Sequence, residues 1–267
     1  MVRITDNEFL EYVKYINKNY GIDLSKKKIL IEGRLSNLIE KKGMNSFYQY
    51  LRSVKNNDVE ETMFVNKLTT NYTYFYREEK HFQYLTETIL PYEEKNNKAK
   101  ILNIWSAGCS SGEEPYTIAM ILDDYFKFRI NQWKIRIYAT DISENVLSKA
   151  REGIYSKDSI CKLPDSFIKR YFIKLDDNKY QVVPEIKNYV RFKASNLMAP
   201  ILEKNRYHVI FMRNVMIYFD LETKNKIINK LYNATRSGGY LMIGHAEIIQ
   251  REQSKYLYIK PAIYKKE

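Results

Sequence analysis

Along the first 90 residues, apolar side chains recur at intervals of three and four. Phe9, Tyr12, Val13 and Ile16 mark a helix over residues 8–20, closed by Gly21. A second starts at Leu24-Ser25, turns Ile29, Leu30, Leu35, Leu38 and Ile39 inward, and stops at Gly43. Residues 46–54 and 58–67 read as shorter helices. Residues 86–94 add another before the polar break Lys95-Asn96-Asn97-Lys98. From residue 100 the period changes. Apolar runs at 101–105, 135–139, 189–193, 208–212 and 241–244 alternate with helical patterns at 114–128, 143–151 and 222–235. That alternation predicts an α/β fold with a doubly wound, mostly parallel sheet. Gly238-Gly239 reads as the turn into a late strand, and residues 258–264 as the end of the sheet. Between 156 and 185 the rhythm breaks into a short helix (165–171) and a hairpin (172–183) turning at Asp176-Asp177-Asn178, a small antiparallel β insertion. The expected division is an N-terminal all-helical domain over 1–72 and an α/β domain over 73–267, with the β subdomain at about 156–187.

A length of 267 residues with 45% hydrophobic content suits one large domain and a lesser one. No apolar run approaches the roughly 18–20 residues of a membrane span, and the first residues hold no signal-peptide core. A cytoplasmic location and no membrane insertion are therefore expected. Two cysteines give no disulfide framework, and three scattered histidines give no metal-ligand spacing, so no metal is expected. The formal charge of +12 raises the question of nucleic acid. The excess Lys is spread thinly, however, and an acidic protein partner accounts for it equally well.

The most informative local run is Ile104-Trp-Ser-Ala-Gly-Cys-Ser-Ser-Gly-Glu-Glu-Pro-Tyr-Thr117. A strand enters a loop of small residues, and a helix starts near Gly112-Glu113-Glu114-Pro115, the usual seat of a nucleotide-like cofactor. Its spacing is not the dinucleotide fingerprint, and no Gly-Lys-Ser/Thr follows to hold a triphosphate. Two glutamates at the loop exit repel a pyrophosphate and suit a cofactor with a cationic part, such as S-adenosylmethionine. By itself the loop is equally a plain β-to-α turn, with Cys109 as packing.

Asp141, at the end of the second strand, is placed to accept from ribose hydroxyls, while Asp141 or Ser143 caps the following helix, and both can hold at once. Asn196-Leu197 follows a later strand, where an adenine edge would rest. The strand at 208–212 delivers Arg213-Asn214-Val215-Met216-Ile217-Tyr218-Phe219 to the same edge. No Pro-Pro follows, which argues against an exocyclic base amine as acceptor. Residues 71–82, Asn-Tyr-Thr-Tyr-Phe-Tyr-Arg-Glu-Glu-Lys-His-Phe, look like a lid built around a buried arginine. Read alone, they are better taken as an interdomain helix whose aromatics pack and whose arginine pairs with Glu78 or Glu79.

Taken together, Asn71-x-Thr73-x-x-x-Arg77-Glu78, Trp105 to Tyr116, Ala139-Thr140-Asp141-Ile142, Asn196-Leu197, Arg213 to Phe219 and Gly244-His245-Ala246-Glu247 resemble the CheR family. Its members are chemoreceptor glutamate O-methyltransferases that use S-adenosylmethionine and release S-adenosylhomocysteine. The resemblance covers nearly the whole chain and implies a Rossmann-like S-adenosylmethionine-dependent methyltransferase fold. It implies that Asn71, Thr73 and Arg77 line the cofactor from the linker side, beside Gly108. Glu114 would meet the methionine ammonium, Asp141 the ribose and Asn196-Leu197 the adenine. Arg213 and Asn214 would complete the pocket, with Arg77 and Tyr218 as catalytic residues beside the transferred methyl. Gly108-Cys109 departs mildly from members that carry alanines.

The chemistry suits the residue types. A glutamate is already ionised at pH 7 and needs no general base, so alignment and desolvation carry catalysis. Lys26, Lys27, Lys28, Arg34, Lys41 and Lys42 lie between residues 25 and 43, against only Glu32 and Glu40. The resemblance implies that they form a docking face for acidic receptor helices. The compact turn at 174–179 lacks the glycine-rich extension of relatives that hold a receptor C-terminal peptide, and reads as peptide-independent. A monomer recruited to membrane receptor arrays is expected, with no nucleic acid. The competing readings are methylation of another acceptor, RNA included, and a cofactor-binding protein without catalysis.

Overall fold

Capping chemistry sets the N-terminal helices in the computed structural model, which describes residues 2–69 and 71–267, Arg251 by its backbone alone. Helix α1 (Asp6–Tyr20) begins under a reciprocal Thr5–Glu8 capping box and ends at Gly21 in the left-handed region, φ 70°. Helix α2 (Lys28–Lys41) starts later than its apolar pattern predicts. Asp23 Oδ1 accepts from Ser25 N at 2.9 Å, so an Asx turn holds the chain out of the helix there. Ile31, Leu35 and Ile39 form the buried face of α2, whereas Ile29 is 90% exposed, contrary to its expected inward position. Two residues along a helix rotate a side chain by about 200°, so Ile29 and Ile31 cannot share a face. Helices α3 (Phe47–Lys55) and α4 (Asp58–Leu68) start under Ser46 and Asn57 caps.

After the linker, α5 (Lys80–Tyr84) and α6 (Leu90–Asn96) are joined through a π turn over Leu85–Ile89. Pro91, without an N–H, ends the regular ladder behind it. The α/β part then runs β1 (Ile101–Ala107), α7 (Glu113–Phe126), β2 (Lys134–Asp141) and α8 (Glu144–Glu152). The insertion holds β3 (Ile154–Ser156), α9 (Lys157–Ile160), α10 (Asp165–Tyr171), β4 (Phe172–Lys174), β5 (Lys179–Val182) and α11 (Pro184–Lys187). It forms a three-stranded antiparallel sheet, β3-β5-β4, one strand more than the expected hairpin. The chain closes with β6 (Val190–Ala194), β7 (Tyr207–Met212), α12 (Leu221–Ala234), β8 (Thr235–Ile243), β9 (Leu257–Lys260) and β10 (Ile263–Lys265).

The main sheet has the order β6-β2-β1-β7-β8-β10-β9, with the first five strands parallel. From β1 the chain winds outward to β2 and β6, then crosses to β7 and β8. The order reverses between β1 and β7, where an α/β sheet opens its ligand crevice. Gly238-Gly239 is not a turn but lies inside β8, where the β7–β8 register shifts. A Cβ on Gly239 would come within 2.8 Å of Thr235 Cγ2 and 3.0 Å of the His208 carbonyl, so the glycines let a bulged strand stay close to its neighbour.

Alternation along the strands divides the core between two faces. Leu102, Ile104, Val209, Phe211 and Met242 pack with α5, α6 and α7. Trp105, Ile210, Met212, Leu241 and Ile243 pack with α12 and with Tyr12, Ile16, Leu35 and Phe64 of the N-terminal helices. The helical region thus covers one face of the sheet. No helix among the described residues is long and apolar enough to cross a membrane.

His208, in β7, is buried beside Glu93 of α6, with its Nδ1 accepting from Asn103 N at 3.2 Å. Burial, with the Arg236 charge, pushes its pKa down to about 4. The unfolded chain then takes up this proton near pH 6.5 while the folded one does not, so stability from this group is full above pH 6.5 and drains as pH falls towards 4. Asn preserves the acceptor without the titration. A His208→Asn variant is expected to lose less melting temperature between pH 6.5 and 4.5 than the parent, measured by thermal scans; parallel slopes would refute the assignment.

Candidate functional site

The loop after β1 is pinned to the end of β2. Gly108 N and Cys109 N donate to the Thr140 carbonyl at 2.7 and 2.9 Å, and Ser110 N donates to Asp141 Oδ2 at 2.8 Å. Asp141 Oδ1 accepts from Ser143 N at 3.0 Å, and Ser143, not Asp141, caps α8. Burial raises the Asp141 pKa, against the lowering effect of the backbone N–H groups it accepts from. Gly108 has φ 84°, and a Cβ there would sit 2.4 Å from Val215 Cγ2, so only glycine lets the β1 and β7 loops close together. Burial pushes the Cys109 thiol well above its usual range, helped by the nearby Asp141 and Glu114 charges; it is a packing residue.

The linker lies across this loop. Ser110 Oγ donates to the Asn71 carbonyl at 3.0 Å, and Tyr76 N to Thr117 Oγ1 at 3.3 Å. Phe75 is fully buried, edge-on to Tyr155 and Phe172 of the insertion, so the insertion anchors the linker. Arg77 is half-buried rather than buried as expected. Its Nη1 donates to the Tyr72 carbonyl at 3.0 Å, and its guanidinium stands 5.7 Å from the Tyr74 ring centre. It pairs with neither Glu78 nor Glu79.

The buried cation is Arg213, at the end of β7. Its side chain is 2% exposed and reaches Glu114 Oε2 at 2.9 Å, Glu78 Oε2 at 3.2 Å and the Arg77 carbonyl. Glu114 Oε1 also accepts from Ser106 Oγ at 2.6 Å. Glu247 collars the next loop, accepting from Gly244 N at 2.6 Å, Asn214 N at 3.0 Å and Ile217 N at 3.3 Å. Tyr76, Glu78, Ser110 and Asn214, four residues of these loops, take positive φ, a strain the surrounding bonds hold in place.

These loops enclose a cavity of about 610 Å³, within the roughly 300–1,000 Å³ of small-molecule sites. Asn71, Thr73, Arg77, Gly108, Glu114 and Asp141 line it, as do Asn196, Leu197, Arg213, Asn214 and Tyr218. Burial raises the Tyr218 pKa, while the Arg77 and Arg34 charges draw it down. No histidine is among the described lining residues. The donor set fits S-adenosylmethionine. A Glu114–Arg213 pair offers both signs to an amino-acid end, Asp141 an acceptor to a diol, and Asn196-Leu197 an amide beside an apolar surface.

Sequence reasoning missed the opposite wall. Tyr20, Ile22, Asp23 and Leu24 line the cavity because Ile22 bridges Phe219 and Asp23 N donates to the Tyr218 carbonyl at 2.7 Å. Asn196 Nδ2 likewise donates to the Asn19 carbonyl at 2.8 Å. Glu78 and Glu247 were also unassigned, although both lie in motifs whose flanking residues carry the site. The basic residues divide. Lys27 lines the cavity, and Lys26, Lys27, Lys28 and Arg34 border a shallow groove with Phe9 and Ile29. Lys28 pairs with Asp6 and Lys42 with Glu60, each at 2.6 Å. Arg34 Nη1 caps the end of α4 through the Leu68 and Thr69 carbonyls at 2.9 and 3.0 Å. Lys26 and Lys41 are exposed. The six therefore do not form one open face.

The chain matches two family descriptions, the CheR methyltransferase all-alpha domain over residues 7–69 and the CheR methyltransferase SAM binding domain over residues 71–264. It is 44% identical to the chemotaxis protein methyltransferase of Borreliella burgdorferi over 99% of this chain and 96% of that one. It is 34% identical to chemotaxis protein methyltransferase 2 of Vibrio cholerae, over 94% and 88%. It is 32% identical to chemotaxis protein methyltransferase 1 of Pseudomonas aeruginosa, over 92% of each.

Proposed function

Because the chain belongs to the CheR methyltransferase family and is an S-adenosylmethionine-dependent methyltransferase, we propose that it methylates glutamate side chains on the cytoplasmic domains of chemotaxis receptors. The carrying observation is a cavity with a half-buried guanidinium (Arg77), a hydroxyl (Tyr218) and no lining histidine among the described residues. A carboxylate acceptor is ionised at neutral pH, so the site must orient it and exclude water rather than take its proton. The absence of a Pro-Pro after Arg213-Asn214 further disfavours a base amine.

S-adenosylmethionine, when bound, supplies an electrophilic methyl on a sulfonium. Glu114 and Arg213 would hold its amino-acid end, Asp141 the ribose, and Asn196 and Leu197 the adenine, with Asn71 and Thr73 lining it from the linker side. Arg77 orients the acceptor carboxylate and stays charged throughout, so it moves no proton. The Tyr218 hydroxyl fixes the second carboxylate oxygen. Asn214, held by Glu247, keeps the β7 loop in register. Residues 1–72 form the receptor-recognition domain, and the enzyme acts as a monomer at receptor arrays without a catalytic metal.

Incubation with tritiated S-adenosylmethionine and receptor cytoplasmic domains is expected to yield label released as volatile methanol by mild alkali. Alkali-stable label, or label on RNA in place of receptor, would overturn the acceptor assignment. Docking is tested at the exposed lysines. Lys26→Glu combined with Lys41→Glu is expected to raise KM for receptor several-fold, at about 0.2–1 kcal/mol per exposed pair, and less in high salt. S-adenosylhomocysteine affinity should not move; equal effects on both would defeat the docking role.

A further inference from the structure

Two of the three histidines that the sequence scatters meet in the fold. His81 on α5 and His245 in the loop after β8 have ring centres 5.0 Å apart, and His81 Nδ1 lies 3.4 Å from Glu78 Oε2. One ligating atom from each of the three residues lies within 4.8 Å of the others. His81 is fully buried, yet neither ring nitrogen has a hydrogen-bond partner; its approach to Glu78 is not aligned as one. A buried imidazole with both nitrogens unsatisfied calls for an explanation that protein neighbours do not supply.

We propose that Glu78, His81 and His245 form a binding site for one divalent transition cation, with Zn2+ the ion that fits. Two imidazoles and one carboxylate are a zinc donor set, whereas calcium and magnesium require mostly oxygen ligands in greater number. Ligand atoms roughly 2.0–2.1 Å from a tetrahedral zinc stand roughly 3.3–3.4 Å apart, which is the observed His81–Glu78 separation of 3.4 Å. His245 is exposed, so it gives the ion a route in and has room to turn and close the remaining span. Arg213 shares Glu78 Oε2 at 3.2 Å and would compete with the ion for it, so occupancy trades one cation for another on this carboxylate. The fourth position is left to water.

None of the three residues lines the cavity, so the ion would brace the Arg77–Glu78 turn from behind rather than meet the acceptor. The proposal does not rest on the acceptor assigned above, and its test does not read methyl transfer. Metal-free full-length protein is titrated at neutral pH with Co2+, a spectroscopic stand-in for zinc. One saturable equivalent with d–d absorption, displaced by Zn2+, is expected. His245→Gln, at an exposed position, is expected to weaken binding by more than the roughly 10–100-fold cost of losing an outer-shell partner. Absence of saturable absorption, equal affinity in His245→Gln, or a sulfur charge-transfer band marking exposed Cys161 as the ligand would each overturn the site.

Discussion

Replacing Arg213 with methionine is expected to cost about 3–5 kcal/mol of stability, the effect of stripping one partner from a buried ion pair. The guanidinium has 2% of its side chain exposed and lies between Glu78 and Glu114, which are themselves 13% and 14% exposed. It also holds the Arg77 carbonyl and stands 5.3 Å from the Phe82 ring centre. Methionine fills much of the volume but leaves two mostly buried carboxylates without the cation they share. In a chain of this size that loss lowers the melting temperature by roughly 6–20 °C. Arg213→Lys should fall between the two, since an ammonium keeps the charge but cannot fork to both carboxylates. S-adenosylhomocysteine affinity should drop alongside stability, because Glu114 loses the partner that orients it at the cavity. Calorimetry and thermal scans of the two variants check this. A melting temperature for Arg213→Met within a degree or two of the parent would show that the glutamates do not depend on the arginine.

The second large effect concerns turnover rather than folding. Arg77→Ala is expected to lower kcat by about 10²–10³, equivalent to about 2.7–4 kcal/mol, the typical cost of deleting one charge-stabilising donor from a water-poor site. Arg77 is only half-buried and pairs with no carboxylate among the described residues, so its removal leaves no orphaned charge and should barely change stability. Tyr218→Phe removes a single neutral hydrogen-bonding group and should cost about tenfold or less. Single-turnover methylation at saturating S-adenosylmethionine separates the rate from binding. Should either variant transfer methyl at the parental rate with cofactor still bound, the acceptor-positioning role of that residue is wrong.

The site was legible where its parts are local. The strand, small-residue loop and helix of residues 104–117 lie within one stretch of chain, and the residue types needed for the turn and the cofactor are adjacent there. Asp141, Asn196 and Arg213 were legible because parallel strands deliver their carboxyl ends to one edge, so position along a strand already implies position in space. Arg77 is not the buried cation its motif suggests, since nothing nearby in sequence marks Arg213 as the partner of Glu78. That pair spans more than half the chain. The N-terminal wall was invisible for the same reason: Asp23 and Tyr218 meet through backbone atoms, which carry no residue signature. Ile29 and Gly238-Gly239 failed differently. There the local pattern was real, but helix phase in one case and a bulge against His208 in the other overrode it.

Periodicity and motif spacing thus specified the sheet, its helices and the cofactor edge, because burial of apolar faces and turn chemistry act over a few residues. Only tertiary packing decided which charges are neutralised, which basic residues of α2 are tied to the chain's own carboxylates and carbonyls, and that His81 and His245 meet beside Glu78. Those outcomes depend on distances between segments far apart in sequence, and an isolated stretch of chain carries no record of such a distance.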